Sequence, residues 1–347
     1  MNCVDVSIVL PVHNAEKWFD ECLASVANQK FNGKLELSVY FDASKDNSQD
    51  ILKSWLDKLQ KENIKVVISE GKSSIPNGVG YAKNRAVEQS NGQYLCFLDA
   101  DDVMHPCRIQ KQYESASKNK DAIIGSKFNR FPVGSTKRFT DWANNLNNKQ
   151  LYTQIYTSHG PTLIMPTWFC SRDVFKKVGG FSEAGMGTPE DLLFYFAHLK
   201  LHGSLYRVDE DLLMYRYHPG ATTFSIDEKT IWDIRIKELE ENVLYHWPKF
   251  TIWNAGKQGR KFFRSISSSN RSKIVAFCDV DRKKISKGFY TFEESEDSVK
   301  PKIPIIHFTQ AKPPFIICIK LDLTGGNFEE NLSSLNLTEG IDYFLFS

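Results

Sequence analysis

Hydrophobic and polar positions along the first part of the chain switch repeatedly between two periods. Val6-Ser7-Ile8-Val9-Leu10 is a short, nearly continuous apolar run and predicts a strand. Trp18, Phe19, Leu23 and Val26 then recur at helical spacing and predict a helix over 15–28. The alternation continues with a strand over 35–41 and a helix over 48–61 carrying Ile51, Leu52, Trp55 and Leu59. A strand over 66–68, a helix over 80–90 and a strand over 94–98 follow. Strands separated by helices of this length predict a mostly parallel sheet with helices on both faces. Ligands of such sheets sit beyond the carboxyl ends of the strands, and His13, Asp42 and Asp99 fall at or just past those ends.

A second alternating unit begins near Lys249. Phe250 to Trp253, Lys273 to Cys278 and Phe315 to Ile319 predict strands, with a helix after Arg260. The stretch from Ile231 to His246 is rich in Glu, Leu and Ile at helical spacing, and Pro248 marks its end. The expected organisation is a first domain over 1–230, a helical linker over 231–248 and a smaller Rossmann-like α/β domain over 249–347.

Composition narrows the class. The chain has 347 residues, 41% hydrophobic and 25% charged, which is ordinary for a soluble globular protein. No stretch approaches the ~18–20 apolar residues of a membrane span. Val6 to Pro11 leads directly into the fold, so no signal peptide and no membrane partner are expected. The seven cysteines are odd in number and lack paired spacing, which points to reduced thiols and a cytoplasmic location. The net charge of only +2 means that a polyanionic partner must meet a local patch.

Two carboxylate clusters carry the candidate chemistry. Asp99-Ala100-Asp101-Asp102 follows the apolar run Tyr94 to Leu98, and Glu190-Asp191 precedes another apolar helix. Three carboxylates at a strand end repel one another unless a cation holds them. A divalent metal, Mn2+ or Mg2+, carrying a diphosphate meets that need. With a remote general base, this is the equipment for transferring a group from an activated nucleotide.

The order of motifs resembles the inverting family 2 glycosyltransferases, which adopt the GT-A fold, over residues 4–225. The resemblance rests on Ser7 to Asn14, Asp42 to Ser48, Gly78 to Arg85, Asp99 to Asp102, Trp168 to Arg172, Val178 to Phe181, Thr188 to Asp191 and Leu213 to His218. It implies a UDP-sugar donor whose base is gripped by Pro11, Val12, His13 and Asn14. Asp42 matches the second of two consecutive acids that meet the uracil ring; an Asx-turn or cap before the helix over 48–61 explains the same residue. Gly80 and Lys83 belong to a Gly-rich start of a helix that implies phosphate or ribose contact, with Lys83 where Arg is usual; a plain turn accounts equally for the glycines. Asp99 and Ala100 would contact the donor, and Asp101 would ligate the metal, completed by His218. Arg216 would pair with acids or phosphate. Asp191 would be the catalytic base, with Glu190 as orienting partner, although acids at a helix start are also favoured by the dipole. Trp168 would floor the acceptor site by stacking, or belong to the core. His13 beyond its backbone position and His159 have no assigned role.

In the second unit, Gly256-Lys257-Gln258-Gly259 resembles part of a dinucleotide fingerprint, with Asn254 in place of its first glycine and Asp279 as the acid at the next strand end. Residues 249–287 carry eleven Lys or Arg against only Asp279 and Asp281. This is a basic surface on a nearly neutral chain, and Lys257, Arg260, Lys261 and Arg264 are its candidate contacts to a nucleic-acid acceptor; a solvated helix face is the plain alternative. Resemblance along Val12 to Ser347, including Trp253 to Arg260 and Leu321 to Gly326, is to tRNA-modifying members of the family. It implies galactose transfer from UDP-galactose to queuosine in tRNA-Tyr. Transfer of N-acetylglucosamine to galactose-terminated acceptors, and a non-catalytic nucleotide-sugar or tRNA-binding role, are the alternatives. No motif reads C2 or C4 of the sugar.

Overall fold

The computed structural model describes residues 4–158, 160–220, 225–296 and 298–347; His159 lies outside them. The chain divides into two compact units, Met1–Asn148 with Pro161–Asp227, and Lys149–Gly160 with Glu228–Ser347.

The first unit is built on an eight-stranded sheet: β1 (Val6–Val12), β2 (Leu35–Phe41), β3 (Lys65–Glu70), β4 (Tyr94–Phe97), β5 (Val103–Met104), β6 (Ala122–Phe131), β7 (Phe169–Ser171) and β8 (Ser204–Arg216), in the order β3-β2-β1-β4-β7-β6-β8-β5. β1 and β2 are buried at every position, so helices must cover both of their faces. The buried polar side chains there are satisfied: Ser7 Oγ donates to Glu36 Oε1 at 2.9 Å, and Ser38 Oγ to the Ala86 carbonyl at 2.6 Å. β3, β2, β1 and β4 run parallel, as the alternating pattern predicts. β6 and β8 are parallel as well, so the sheet is mostly parallel, while β7 is antiparallel to β4 and β6, and β5 is antiparallel to β8. β7 and β5 have three and two residues, too few for a period to register.

The helix predicted over 48–61 forms over Ser48–Lys61. The one predicted from Ala15 starts later, at Phe19. Ala15 N donates to Ser48 Oγ at 2.9 Å and Glu16 N to Asp46 Oδ2 at 2.8 Å, which holds 15–18 as a turn and leaves Trp18 just before the helix.

The second unit carries a six-stranded sheet of β9 (Phe250–Trp253), β10 (Ile274–Asp279), β11 (Phe289–Thr291), β12 (Lys302–His307), β13 (Phe315–Ile317) and β14 (Tyr343–Leu345), in the order β11-β12-β10-β9-β13-β14. All pairs are parallel except β11 with β12. Trp253, Phe308, Phe315 and Phe328 pack in its core. The structure groups two segments with this unit that the sequence pattern places elsewhere. Residues 149–160 join it through Thr153 Oγ1 to Glu339 Oε1 at 2.7 Å and Ser347 N to the Tyr156 carbonyl at 3.3 Å. The helix Glu228–Asn242 is packed rather than linking, with Trp232 Nε1 donating to Ser265 Oγ and its ring edge-on to Phe346 at 4.9 Å.

Gly259 shows why the broken fingerprint still folds. A Cβ there would lie 1.8 Å from the Asn254 carbonyl oxygen, so the helix Lys257–Ser265 packs this close to β9 only with glycine. The Asp279 carboxylate accepts from Ala255 N and from Lys284 Nζ, both at 2.9 Å. Burial pushes its pKa up, but Lys284 and the backbone N–H groups of Asp281 and Ala255 hold it below the ordinary carboxylate value. The acid that a dinucleotide fold offers to a ribose is here tied to its own loop. Among the described residues, no helix is long and apolar enough to cross a membrane, and all cysteines are free thiols.

Candidate active site

Seven chain segments converge on one cleft of about 320 Å³ at the carboxyl ends of β1, β2 and β4. Pro11, Val12, His13 and Asn14 leave β1 into its wall, and Asn14 adopts a left-handed φ of 50°. His13 Nδ1 lies 2.6 Å from the Asp42 carbonyl oxygen, which can only accept, so this nitrogen carries the proton. Its Nε2 then accepts from Asn14 Nδ2 at 3.2 Å.

Asp42 also lines the cleft but is only 3% exposed. Its carboxylate accepts from Asn77 N at 2.9 Å, Asn77 Nδ2 at 3.2 Å and Gly78 N at 3.0 Å. Those three donors occupy most of its about four acceptor positions. Asp42 therefore pins the loop ahead of the helix Val79–Gln89, and at the start of the helix Ser48–Lys61 it is Asp46 Oδ1 that accepts from Ser48 N at 3.1 Å.

Gly80 corrects its expected donor contact. It is not in the cleft wall; its missing Cβ would lie 2.3 Å from the Ser182 carbonyl oxygen. The glycine lets the helix touch the 182 loop. Gly80→Ala should destabilise the first unit by about 1–3 kcal/mol, read as a lower denaturant midpoint with an unchanged m-value.

Lys83 does reach the cleft, but almost completely buried and with protein partners. Its Nζ lies 3.0 Å from Glu190 Oε1, 3.0 Å from Met165 Sδ and 3.9 Å from Asp99 Oδ1. Burial disfavours its charge, but Asp99 and Glu190 hold its pKa above the ordinary lysine value.

The Asp99–Asp102 turn sits at the end of β4, and Asp99, Ala100 and Asp101 line the cleft. Asp102 points away from solvent. Its Oδ1 accepts from Arg216 N at 2.9 Å, while Oδ2 is buried without a partner. Burial, then Asp101 and Asp99, push the Asp102 carboxyl well up. Arg216 donates from Nε to the Asp101 carbonyl at 2.8 Å and pairs with Glu21, so it takes acids and backbone rather than an open phosphate position. Its place at the end of β8 brings His218 beside the turn, with Nε2 2.8 Å from Asp101 Oδ2.

That pair fits a hard cation. Neighbouring ligand atoms on an octahedron with bonds of 2.0–2.1 Å lie roughly 2.9 Å apart. Among the described residues no group of three His, Cys, Asp or Glu forms a ready cation cage. Two protein ligands suit an ion that keeps water and diphosphate oxygens as its remaining ligands.

Glu190 and Asp191 open the helix Glu190–Lys200 in the same cleft. Glu190 turns inward to Lys83. Asp191 accepts from its neighbour Leu192 N at 2.7 Å. Burial, then the Glu190 charge, push the Asp191 carboxyl up to about 7 against the pull of Lys83.

Trp168 is the clearest correction. It is 1% exposed, donates from Nε1 to the Leu163 carbonyl at 2.8 Å and stacks on Phe181 and Tyr195. It supports the cleft from within the core and offers no surface to an acceptor. The rim the sequence did not single out holds Trp18, Pro76, Met186 and Tyr215. Met186 stands 66% exposed between Gly185 and Gly187, both with left-handed φ. An exposed methionine between two glycines was a signal available in the sequence.

In the second unit, Lys257, Arg260, Lys261 and Arg264 share one face of the helix Lys257–Ser265 by their three- and four-residue spacing. Three of them have intramolecular partners: Arg260 lies over Tyr290, Lys261 over Trp232 at 3.7 Å, and Arg264 is 3.6 Å from Glu294.

In the first unit, a cleft at the ends of parallel strands thus joins an acidic strand-end turn to a second, helix-borne acid. Residues 7–179 match the model of glycosyl transferase family 2, and the first unit has the GT-A fold. An uncharacterized glycosyltransferase of Rickettsia typhi is 29% identical over 251 residues, covering 67% of this chain and 72% of the relative. The uncharacterized glycosyltransferase EpsJ of Bacillus subtilis is 24% identical, over 63% of this chain and 62% of the relative. Among solved structures, S. aureus TarS in complex with UDP-GlcNAc superposes with a TM-score of 0.56 at 14% identity, covering 87% of this chain and 99% of that one.

Proposed function

We propose that the protein is a UDP-sugar-dependent hexosyltransferase that moves galactose from UDP-galactose onto queuosine in tRNA-Tyr, in the cytoplasm. The observation that carries the enzymatic part is the single cleft shared by the Asp99–Asp101 turn and Asp191. Pro11, Val12, His13 and Asn14 hold the nucleoside, with Asp42 fixing the loop beside it. Asp101 and His218 would hold a divalent cation, which would supply neutralising charge to the diphosphate leaving group. Asp191 takes the proton of the acceptor hydroxyl as that oxygen bonds to the anomeric carbon. The bond from that carbon to the diphosphate breaks in the same displacement, and its electron pair leaves with UDP. Attack opposite the leaving group turns an α-linked donor into a β-linked product.

The acceptor rests on the whole-chain resemblance to queuosine-tRNA galactosyltransferases and on the basic face of the helix Lys257–Ser265. The test is incubation of the purified protein with several UDP-sugars and total tRNA, followed by identification of the nucleoside that gains a hexose. Transfer to glycan galactose, with tRNA left unchanged, would favour the N-acetylglucosamine alternative.

Charge reversal at Lys257, Arg260, Lys261 and Arg264 should weaken tRNA binding and leave UDP binding unchanged. Each lost phosphate contact should lower the salt slope of log K by about 0.7–0.9. Three of these residues touch their own unit, so Lys257→Glu alone, at an exposed first helical position, is the cleaner variant. Unchanged tRNA affinity at ~0.15 M salt would leave this helix a solvated face.

A further inference from the structure

Lys83 is the group that the proposed reaction leaves without a part. It is a buried lysine inside the cleft wall, and its ammonium lies between the two carboxylate clusters. It is 3.0 Å from Glu190 Oε1 and 3.9 Å from Asp99 Oδ1, with the Phe181 ring 5.5 Å away. A lysine is removed from water at this cost only where carboxylates compensate it. Glu190 is adjacent in sequence to Asp191, and both start the helix Glu190–Lys200. The orientation of Glu190 therefore decides how much negative charge Asp191 faces.

We propose that Lys83 is a positioning residue for the base: by pairing with Glu190 it turns that carboxylate inward and supplies the positive charge that lets Asp191 stand as a carboxylate in the cleft. The inference rests on Asp191 as the base.

The groups acting on Asp191 come from three elements. Glu190 on its own helix and Asp99 after β4 oppose its ionisation, while Lys83 on the helix Val79–Gln89 and the Leu192 N–H favour it. Asp42, Asp101, His13 and His218 line other parts of the same cleft. Lys83 is thus the cation that offsets burial at Asp191. A donor-phosphate contact alone would give Lys83 a different signature: loss of UDP affinity with no change in the behaviour of the base.

The test follows Asp191 directly. The protein is labelled with 13C at the aspartate carboxyl carbons, and the Asp191 resonance is identified by its loss in Asp191→Asn. Lys83→Met should move the Asp191 midpoint up by about one pH unit or more, and Lys83→Arg should restore it, because charge is what matters. Glu190→Gln should move it in the opposite direction, down by about one unit. The acid limb of UDP-sugar hydrolysis, with water as acceptor, should shift with the same signs. At pH 6 a one-unit upward shift lowers that rate about tenfold. A folded Lys83→Met protein with an unmoved Asp191 midpoint would overturn the proposal. Should that variant not fold, an unmoved midpoint in Glu190→Gln would overturn it equally. The carboxyl titration needs neither acceptor nor turnover, so it is independent of the acceptor assignment. Retained turnover in Asp191→Asn would remove the base instead, and is a separate result.

Discussion

Asp191→Asn is expected to lower transfer by ~10²–10⁴-fold, the usual contribution of a positioned general base, while UDP binding stays near that of the parent protein. The donor-side residues Pro11 to Asn14 and Asp99 to Asp101 lie at or just past the ends of β1 and β4, whereas Asp191 lies on the helix Glu190–Lys200, so the amide leaves the donor set intact. The pH dependence follows from the same environment. A base must be unprotonated, and burial with Glu190 pushes the Asp191 carboxyl up to about 7. kcat/KM should therefore be level above that pH and fall about tenfold per unit below it. Stability moves the other way. The unfolded chain loses this proton near the ordinary carboxylate value of 3.8 and the folded chain near 7, so stability falls as pH rises through that window. Asp191→Asn removes this penalty, and its melting temperature should exceed the parent's at pH 8 but match it at pH 4. Near-normal turnover by the variant, measured as hexose transfer, would move the base elsewhere. An α-linked product by NMR would refute the single displacement.

The donor side of the cleft was legible because strand-end positions are. A buried strand such as Val6–Val12 is unmistakable in pattern, and polar residues immediately after it have nowhere to go but the rim. Hence Pro11 to Asn14, Asp42, Asp99 and Asp101 all reach the cleft. Long-range packing was not legible. Trp168 precedes a three-residue strand, and nothing local distinguishes an exposed ring from one stacked between Phe181 and Tyr195. Gly80 looks like a phosphate-loop glycine, yet its reason is a backbone oxygen about a hundred positions away in the chain. Lys83 keeps the expected charge but gives it to Glu190, a partner that only the folded helix pair brings within 3.0 Å. The membership of residues 149–160 likewise depends on Glu339 and Ser347 at the other end of the sequence.

Asp101→Asn should abolish turnover while the fold survives, and chelation by EDTA should do the same to the parent protein, reversibly on adding Mn2+ or Mg2+. The fold survives because the turn is held by other atoms. Arg216 Nε donates to the Asp101 backbone carbonyl, Arg216 N to Asp102 Oδ1, and Asp102 N to the Asp99 carbonyl. None of these uses the Asp101 side chain. What the amide removes is the charge facing His218 Nε2 at 2.8 Å, half of the paired site proposed to hold the cation. An asparagine oxygen can still bind a hard ion weakly, but it cannot supply the anionic ligand that a dicationic centre beside a diphosphate requires. Loss should therefore appear in kcat at saturating donor and be only partly relieved by excess metal. His218→Ala should be milder, because water can replace a neutral ligand. Two readouts separate this from a structural defect: an unchanged melting temperature for Asp101→Asn without metal, and loss of the metal-dependent increase in UDP affinity. Full activity of the parent protein in EDTA would sink the metal-assisted mechanism and leave Asp101 and His218 as a hydrogen-bonded pair that only shapes the donor site.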